Sequence, residues 1–258
     1  MQNSTIEWTD HTFSPWWGCV NVSPACDHCY AEARDKRKIF EPVTHWGKHA
    51  TRMMQSDGYW KHPHTWNRRA ERTGICERVF CGSMCDVMER RSDLNAPRRR
   101  LFHLIEETPK LVWMLLTKRP QEFSKSLPKT WLQSPRPNVW LLTTVETEDY
   151  LWRIEELLKA PAVVHGVSME PLLGPITLPQ KFLELGQRAW AITGGESGPG
   201  AQPTKIELFR TLRDQSVNAG VPFFFKQWGE HDSELVKLGK KQAGRILDGR
   251  TWDQFPTG

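Results

Sequence analysis

The sequence contains no long apolar stretch, no internal repeat and no low-complexity tract. None of its hydrophobic runs approaches the roughly 20 residues that a membrane-spanning helix needs, so we expect no membrane span. The opening stretch MQNSTIEWTD lacks the basic segment followed by an apolar segment that marks a secretory signal peptide. These absences predict a cytoplasmic protein, in which thiols stay reduced.

A reducing compartment argues against the simplest use of the cysteines, which would be three disulfides. Clustered cysteines in such a compartment are more often metal ligands or catalytic groups. The chain has six of them, Cys19, Cys26, Cys29, Cys76, Cys81 and Cys85. The cysteines therefore predict a metal site or a catalytic site.

Length and charge set looser bounds on the fold and its partners. A chain of 258 residues with 38% hydrophobic content can bury a substantial core. We expect residues 1–258 to form a single α/β domain, since an α/β barrel commonly has this length. The formal net charge of +5 permits a partner that carries phosphate but does not require one.

Six short runs rich in β-branched and aromatic residues predict β-strands. They span residues 78–86, 111–120, 138–146, 162–171, 189–198 and 221–229. Helix-like segments lie at 98–108, 148–160 and 204–220, and the last of these ends on Asn-Ala-Gly, a helix stop signal. Strands that alternate with helices predict parallel βαβ units.

Charged or polar side chains follow each predicted strand. They are Ser83, Asp86, Lys118, Arg119, Glu146, Glu170, Glu196 and Lys226. In α/β barrels the active site lies at the carboxyl ends of the strands, so we expect these side chains to converge. The alternative is that polar residues only mark strand ends, as they do in any soluble protein.

Two stretches depart from the alternation of strands and helices. Residues 34–75 carry many charges, histidines and tryptophans with little apolar periodicity. We expect them to form a partly helical excursion over the barrel mouth. Residues 228–258 are polar and predict a short C-terminal cap rather than a second domain.

The stretch GCVNVSPACDHCY places thiols at Cys19, Cys26 and Cys29, separated by six residues and then by two. Thiolates select zinc, copper(I) or iron–sulfur clusters. A zinc site would need a fourth ligand, which His28 or His11 could supply. A four-iron cluster, normally held by four thiolates, would here keep one iron open for a substrate or cofactor. The usual spacing of cluster loops that bind S-adenosylmethionine is three and then two, which differs from the spacing here.

The stretch WTDHTFSPWWGCVNVSPACDHCYAE resembles the N-terminal signature of a phage-associated, radical-S-adenosylmethionine-like family of phages and bacteria. The resemblance continues through VFCGSMCD, LLTKRP, NVWLLTTVE, VSMEPLLGPI, AWAITGGESGPGAQP, VPFFFKQWGE and GRILDGRTWDQFP. It covers nearly the whole chain in order. If a phage encodes the protein, the cytoplasm in question is that of its bacterial host.

This resemblance implies a partial, TIM-like (β/α)6 barrel of the radical S-adenosylmethionine type with a polar C-terminal extension. It implies a [4Fe–4S] cluster on Cys19, Cys26 and Cys29, with S-adenosylmethionine bound to the open iron. One electron, from a donor such as flavodoxin or ferredoxin, would split this cofactor and give a 5′-deoxyadenosyl radical that abstracts hydrogen from a substrate. The remaining cysteines do not form a set that would bind a second cluster.

The resemblance also implies a set of residues around S-adenosylmethionine. They are His28, Tyr30, Ser83, Asp86, Lys118, Glu146, Glu170, Gly194 and Gly195. Either His28 or Tyr30 would lie beside the adenine. Ser83 and Asp86 would bind the amino group of the cofactor.

Two further roles follow from the same resemblance. Lys118 would bind the carboxylate of the cofactor as a point charge, the alternative being a surface lysine in a turn. Glu146 would accept hydrogen bonds from ribose hydroxyls, as acidic residues do in nucleotide sites.

The expected catalytic residues are Cys85, Glu196 and Lys226. The triplet Gly194-Gly195-Glu196 is similar to one that contacts the cofactor in radical enzymes, but it follows a late strand, so we expect Glu196 to face the substrate. A glycine-rich turn without a ligand is the alternative. The Cys85 thiol would donate hydrogen, or else serve as a small buried apolar side chain.

The excursion and the segment RRSDLNAPRRR are rich in Arg, Lys, His and Trp, a mixture that suits phosphates and unstacked bases. We expect a nucleic acid or nucleotide substrate, for example a nucleobase in phage DNA modification. A peptide or small metabolite is the alternative substrate. A second class of protein also stays open, a non-catalytic nucleic-acid-binding module stabilised by zinc.

Overall fold

The computed structural model of the protein describes residues 3–37, 44–198 and 200–257. The chain is a mixed α/β protein that divides into two units, Met1–Trp140 and Leu141–Gly258. Within the described residues, no helix has both the length and the apolar character that crossing a membrane requires.

Parallel strands form the centre of the first unit. Its strands are β1 (His11–Phe13), β2 (Trp16–Trp17), β3 (Met53–Met54), β4 (Glu77–Cys81) and β5 (Leu111–Thr117). Strand β4 lies between β1 and β5 and pairs with both in parallel, with Val79 opposite His11. Strands β2 and β3 form a separate antiparallel pair.

Helices of the first unit connect these strands and cover them. They are α1 (Tyr30–Lys36), α2 (Asp57–Trp60), α3 (His62–Thr73), α4 (Asn95–Glu107), α5 (Phe123–Ser126) and α6 (Lys129–Gln133). Helix α3 packs on β4 and β5. It ends at Gly74, whose φ of 69° is a left-handed conformation that glycine adopts without steric cost.

The second unit repeats the parallel arrangement. Strand β6 (Val139–Thr144) contains the division between the units. The strands and helices that follow are α7 (Trp152–Leu158), β7 (Val164–Met169), α8 (Gln180–Leu183), β8 (Ala189–Gly194), α9 (Ile206–Asn218), β9 (Phe223–Gln227) and α10 (Lys240–Ala243). Strand β8 pairs in parallel with β7 and with β9, and α9 packs against β8 and β9.

All six strands predicted from the sequence are present, and each is shorter than its run. The polar residues singled out above lie in the loops that follow the strands, except Lys226, which lies within β9. Helices lie at the three predicted places, and α9 ends at Asn218, the first residue of the expected Asn-Ala-Gly stop. These parallel βα units are compatible with the expected partial barrel. The prediction missed β1, which also pairs with the sheet. A run of three residues, HTF, is too short to show periodicity.

The excursion at 34–75 is partly helical, as predicted, since it contains α2 and α3; its residues 38–43 lie outside the described residues. Trp46, Trp60 and Trp66 are buried, and the ring of Trp66 stacks on that of His11 with centroids 4.1 Å apart. The rings therefore pack in the core of the first unit. These three rings are therefore not available to stack on unpaired bases, because core packing already uses their surface.

The C-terminal stretch 228–258 is held against β9 by its main chain and by aromatic rings. Asp253 forms an antiparallel bridge with Phe224, on the edge of β9 that does not pair with β8. Phe255 packs on Trp190 with ring centroids 5.2 Å apart. This covering removes an open strand edge, which would otherwise be able to pair with another chain.

Helix α4 offers a matched test of the core of the first unit. Ile105 is 0% exposed, whereas Ile75 is 67% exposed. We predict that Ile105→Ala lowers the free energy of unfolding by about 2–5 kcal/mol, because it leaves a cavity. Ile75→Ala should change it by no more than about 0.5 kcal/mol. Urea denaturation of both variants checks this, and equal losses would contradict the packing described here.

Candidate functional site

The three thiols lie on the segment 18–29, called here the cysteine loop, which follows β2. Its first residue is tied to the end of β4, since Gly18 N donates a hydrogen bond to Met84 O (3.0 Å). Gly18 also forms a parallel bridge with Cys85. On the other side, Gly47 N donates to Cys19 O (2.9 Å), so part of the excursion contacts the loop.

Gly18 is the position where the loop passes closest to the excursion. Its φ is +112°, and a Cβ at this position would lie 2.2 Å from the carbonyl oxygen of His45. His45 is itself held by Asp35, because its Nδ1 lies 2.9 Å from Asp35 Oδ1 and both side chains are buried. Only glycine therefore fits at position 18 without moving the neighbouring chain.

The three cysteine side chains share one environment. Cys19 and Cys29 pack against the same small apolar cluster, and Cys26 is close enough to Cys29 to influence its ionisation. All three are partly exposed. The buried members of the apolar cluster are Ala31, Trp46 and Met84. One loop thus carries three accessible soft donors, two of which lie against the same apolar surface.

Asp86, just after β4, is a buried carboxylate with four donors from the protein. Its Oδ1 accepts hydrogen bonds from Thr117 Oγ1 (2.7 Å) and Met88 N (2.9 Å). Its Oδ2 accepts from Arg119 Nη1 (2.6 Å) and Lys118 N (3.2 Å). A carboxylate has about four acceptor sites. We therefore assign Asp86 to holding the end of β5 rather than to binding the amino group of a cofactor.

Arg119 joins the end of β5 to the cysteine loop. Its Nη2 donates a hydrogen bond to Val20 O (2.9 Å), and its Nη1 lies 3.8 Å from Cys19 Sγ. The guanidinium and the carboxylate of Asp86 are both buried. Burial alone would lower the pKa of Arg119, but Asp86 and Cys19 raise it above its ordinary value, so the group stays charged.

The charges around Cys19 act mostly against its thiolate. Burial first, and then the carboxylate of Asp86, raise the pKa of the Cys19 thiol to about 12, while Arg119 acts in the opposite direction. Glu89 adds to the upward shift. A thiol with such a pKa is a poor nucleophile at neutral pH. A bound metal would instead displace its proton.

Cys29 lies at the start of α1, and more of its neighbours favour the thiolate than is the case for Cys19. Burial raises the pKa of its thiol, whereas the backbone N–H groups of Glu32 and Ala31 and the ammonium group of Lys118 lower it. Lys118 therefore places a positive charge near Cys29. This is where the structure puts the lysine that the sequence suggested for a carboxylate.

A second buried ion pair braces the part of the excursion that contacts the loop. Arg52 Nη2 lies 2.6 Å from Glu89 Oε1. The same guanidinium donates to His45 O (2.7 Å) and Gly47 O (3.1 Å). Sequence reasoning missed Arg52 and Glu89, because nothing in their local pattern distinguishes them from surface charges.

The two histidines considered for zinc have different surroundings. His11 Nε2 lies 2.7 Å from Glu77 Oε2, and Asn3 N donates to its Nδ1 (3.3 Å), so both ring nitrogens are engaged away from the loop. His28 is exposed beside Cys29. Among the described residues, no three His, Cys, Asp or Glu side chains gather to hold a single metal ion. The thiolates of a four-iron cluster each bind a different iron.

Tyr30, Ser83 and Cys85 also lie next to the cysteine loop. Tyr30 Oη donates a hydrogen bond to Ser83 O (2.7 Å), and Ser83 Oγ lies 3.3 Å from Ser14 Oγ. Burial raises the pKa of the Cys85 thiol well above its ordinary value, with Cys81 and Cys19 adding to the shift. The Cys85 thiol is therefore protonated at neutral pH.

In the second unit, Glu146 follows β6 and forms a buried ion pair. Its Oε2 lies 3.0 Å from Arg153 Nη1, and both side chains are 1% exposed. Arg153 Nη1 also donates to Thr144 O (3.1 Å), the last residue of β6. Because the carboxylate has almost no accessible surface, we assign Glu146 to this structural pair rather than to ribose binding.

Glu170 and Lys226 form a partly exposed ion pair at the ends of β7 and β9. Glu170 Oε1 lies 2.8 Å from Lys226 Nζ, and Ser168 Oγ donates to Glu170 Oε2 (3.3 Å). Strand β8 runs between these two strands and ends at Gly194. A Cβ on Gly194 would lie 2.8 Å from Glu170 Oε1. The absence of a side chain there leaves room for the ion pair to form across β8.

Gly195 has a packing role of its own, because a Cβ there would lie 1.9 Å from Trp228 O. Gly195 N also donates a hydrogen bond to Gln227 O (3.0 Å). The carboxylate of Glu196 is buried and accepts from Gln202 N (2.8 Å). Contacts with neighbouring chain thus account for the two glycines of this turn.

In the first unit, the structure places Cys19 near Asp86 and Arg119, and Cys29 near Lys118. In the second unit, it brings Glu170 and Lys226 together at Gly194. Sequence reasoning missed Thr117, which links Asp86 to Arg119. Its place as the last residue of β5, directly before two cations, was the one available signal.

The fold is that of a mixed α/β protein, and one loop of its first unit carries three cysteines. A family model described as "Protein of unknown function (DUF5131)" matches residues 3–256. The chain belongs to this family. No curated protein matches it.

A pair of glycines tests the close approach at the base of the loop. Gly18 and Gly47 have φ values of +112° and +113°, but a Cβ on Gly47 would meet nothing within 4 Å. Both alanine variants carry the backbone strain, and only Gly18→Ala adds the overlap with His45. We predict that Gly18→Ala lowers the free energy of unfolding by about 1–3 kcal/mol more than Gly47→Ala.

Chemical denaturation of the two variants without added metal measures this difference. Equal stabilities would contradict the tight contact between the cysteine loop and the excursion.

Proposed function

We propose that this protein is a radical S-adenosylmethionine enzyme in which Cys19, Cys26 and Cys29 hold a [4Fe–4S] cluster. The observation that carries the proposal is the cysteine loop, which gathers three partly exposed soft donors beside charged strand ends. When bound, such a cluster supplies an electron and one open iron for the cleavage of S-adenosylmethionine.

The chemistry of the donors supports a metal more than a nucleophile. Burial keeps Cys19 and Cys29 protonated at neutral pH, so neither is activated for attack. A metal centre would replace these protons and offset the buried negative charge. The apolar cluster of Ala31, Trp46 and Met84 would keep water from that side of the thiolates.

Lys118 is the residue best placed to bind an anionic group beside the cluster. Its ammonium group acts on Cys29, while its backbone N–H is fixed by Asp86. The side chain is partly exposed. A lysine in this position would bind the carboxylate of S-adenosylmethionine as a point charge. The exposed rings of His28 and Tyr30 would lie beside the adenine.

The parallel βα units support the same proposal, since they would form a partial barrel of the radical S-adenosylmethionine type. In the second unit, Glu170, Lys226 and Glu196 would face the substrate. The Cys85 thiol is protonated, as a hydrogen donor must be.

We further propose a nucleic acid or nucleotide as the substrate. Exposed basic side chains on the excursion and on α4 would contact its phosphates, and they include Lys48, Lys61, Arg68, Arg72 and Arg99. The buried tryptophans do not contribute to this surface.

Two cysteines of the first unit test the ligand set, one on the cysteine loop and one outside it. Cys26 belongs to the cysteine loop, which contacts the chain after the last residue of β4. Cys76 is exposed and lies just before the first residue of β4, at the other end of that strand. After anaerobic reconstitution, we predict that Cys26→Ala loses the brown colour and about four irons and four sulfides per chain. Cys76→Ala should keep the cluster of the wild type. Iron, sulfide and visible absorption are the measurements.

The wild type with a reductant and S-adenosylmethionine should also yield 5′-deoxyadenosine, and Cys26→Ala should not. A colourless wild type that holds one zinc ion would refute the proposal and favour the zinc-stabilised binding protein.

A second prediction concerns Lys118. Lys118 follows β5 and Lys110 precedes it, so the two lysines lie at opposite ends of one strand. We predict that Lys118→Met weakens the binding of S-adenosylmethionine to the cluster-loaded protein about tenfold, or ~1.4 kcal/mol, because a charged partner of the carboxylate is lost. Lys110→Met should bind it as the wild type does. Equilibrium titration measures both, and equal affinities would remove Lys118 from the site.

A further inference from the structure

Arg119 makes a contact that the binding roles above do not use, because its guanidinium lies against a sulfur atom. Arg119 Nη1 is 3.8 Å from Cys19 Sγ and donates at 2.6 Å to Asp86 Oδ2. Its Nη2 donates at 2.9 Å to Val20 O, the residue after the cysteine. One side chain thus contacts both the thiol of Cys19 and the backbone of the residue that follows it.

The guanidinium is fixed in this position from several directions. Thr117 Oγ1 donates to Asp86 Oδ1 (2.7 Å) and accepts from Arg119 N (2.9 Å), so one hydroxyl orients both members of the ion pair. Met88 N holds Asp86 Oδ1 as well (2.9 Å). Both charged groups are buried. Arg119 therefore cannot turn from Cys19 without breaking a buried ion pair, which is costly.

The charges near Cys19 give Arg119 an electrostatic effect on whatever this sulfur binds. Asp86 and Glu89 place negative charge near the sulfur, and Arg119 is the cation that acts on it in the opposite sense. A charged donor makes a stronger hydrogen bond than a neutral one. Such a bond stabilises a sulfur ligand more when the attached centre gains negative charge.

We propose that Arg119 is a positioning residue that fixes Cys19 and raises the reduction potential of the cluster bound there. The inference rests on the proposed function, since it requires a cluster on Cys19. Reduction adds one electron from an external donor, and the fixed cation stabilises the more negative, reduced state. Hydrogen bonds to cluster sulfurs and nearby charge are known determinants of these potentials.

The test is a redox titration of the reconstituted protein, followed by electron paramagnetic resonance of the reduced cluster. Arg119→Met should lower the midpoint potential beyond the scatter of repeated wild-type titrations. Arg119→Lys keeps the charge and should recover part of the shift. Arg98→Met is the matched control, because Arg98 is an equally buried arginine whose guanidinium donates to Val87 O and not to a sulfur. Its potential should stay near that of the wild type.

A milder variant covers the case in which Arg119→Met does not retain a cluster. Thr117→Val keeps the guanidinium but removes the hydroxyl that orients it. It should lower the potential in the same direction by a smaller amount. If every loaded Arg119 and Thr117 variant has the potential of the wild type, the inference is overturned.

Failure of the inference can be told from failure of the proposed function. A wild type that binds no iron and sulfide overturns the proposed function, and this inference with it. A brown wild type whose potential does not respond to residue 119 overturns only the inference. A shift in Arg98→Met as large as that in Arg119→Met would also overturn it, because the effect would then come from buried charge in general.

Discussion

The buried carboxylate of Asp86 joins segments of the first unit that are far apart in the sequence. It accepts hydrogen bonds from the end of β5 and, through Arg119, fixes the backbone of the cysteine loop at Val20. Leaving one charge of such a pair without its partner costs about 3–5 kcal/mol. The loop contains only one short turn of 3-10 helix, Pro24–Cys26, so its position depends on this pair and on the contacts of Gly18.

The surroundings of the thiols link metal binding to the order of the loop. Burial and nearby carboxylates favour the protonated form of Cys19, which makes this thiol inert in the absence of a metal. A metal centre reverses the balance, because its positive charge replaces the proton and attracts the same carboxylates. Binding free energy would then stabilise the folded loop directly. The arrangement suits a resident cofactor better than a cysteine that reacts in isolation.

Sequence reasoning located the strands and the polar residues near their ends, but it could not assign partners. Short apolar runs such as AWAITG predict strands that are buried on both faces, and all the residues of β8 are buried. The tryptophans of the excursion suggested a surface for unstacked bases, because composition does not tell which residues face the core. The interpretation of Glu146 as a ribose-binding residue has a related origin. Its partner Arg153 lies only seven residues away, yet the turn of chain that brings them together is not visible in the pattern.

The residues at the strand ends of the second unit show that a position after a strand predicts where a side chain lies but not what it does. Glu146 and Arg153 exclude water, so a ligand would have to leave a buried charge uncompensated in order to separate them. Glu170 and Lys226 retain 13% and 18% exposure, so water already stabilises both charges. A polar substrate can replace one partner of this second pair at much lower cost. The pair across Gly194, rather than Glu146, is therefore the place where we propose that the second unit engages a substrate.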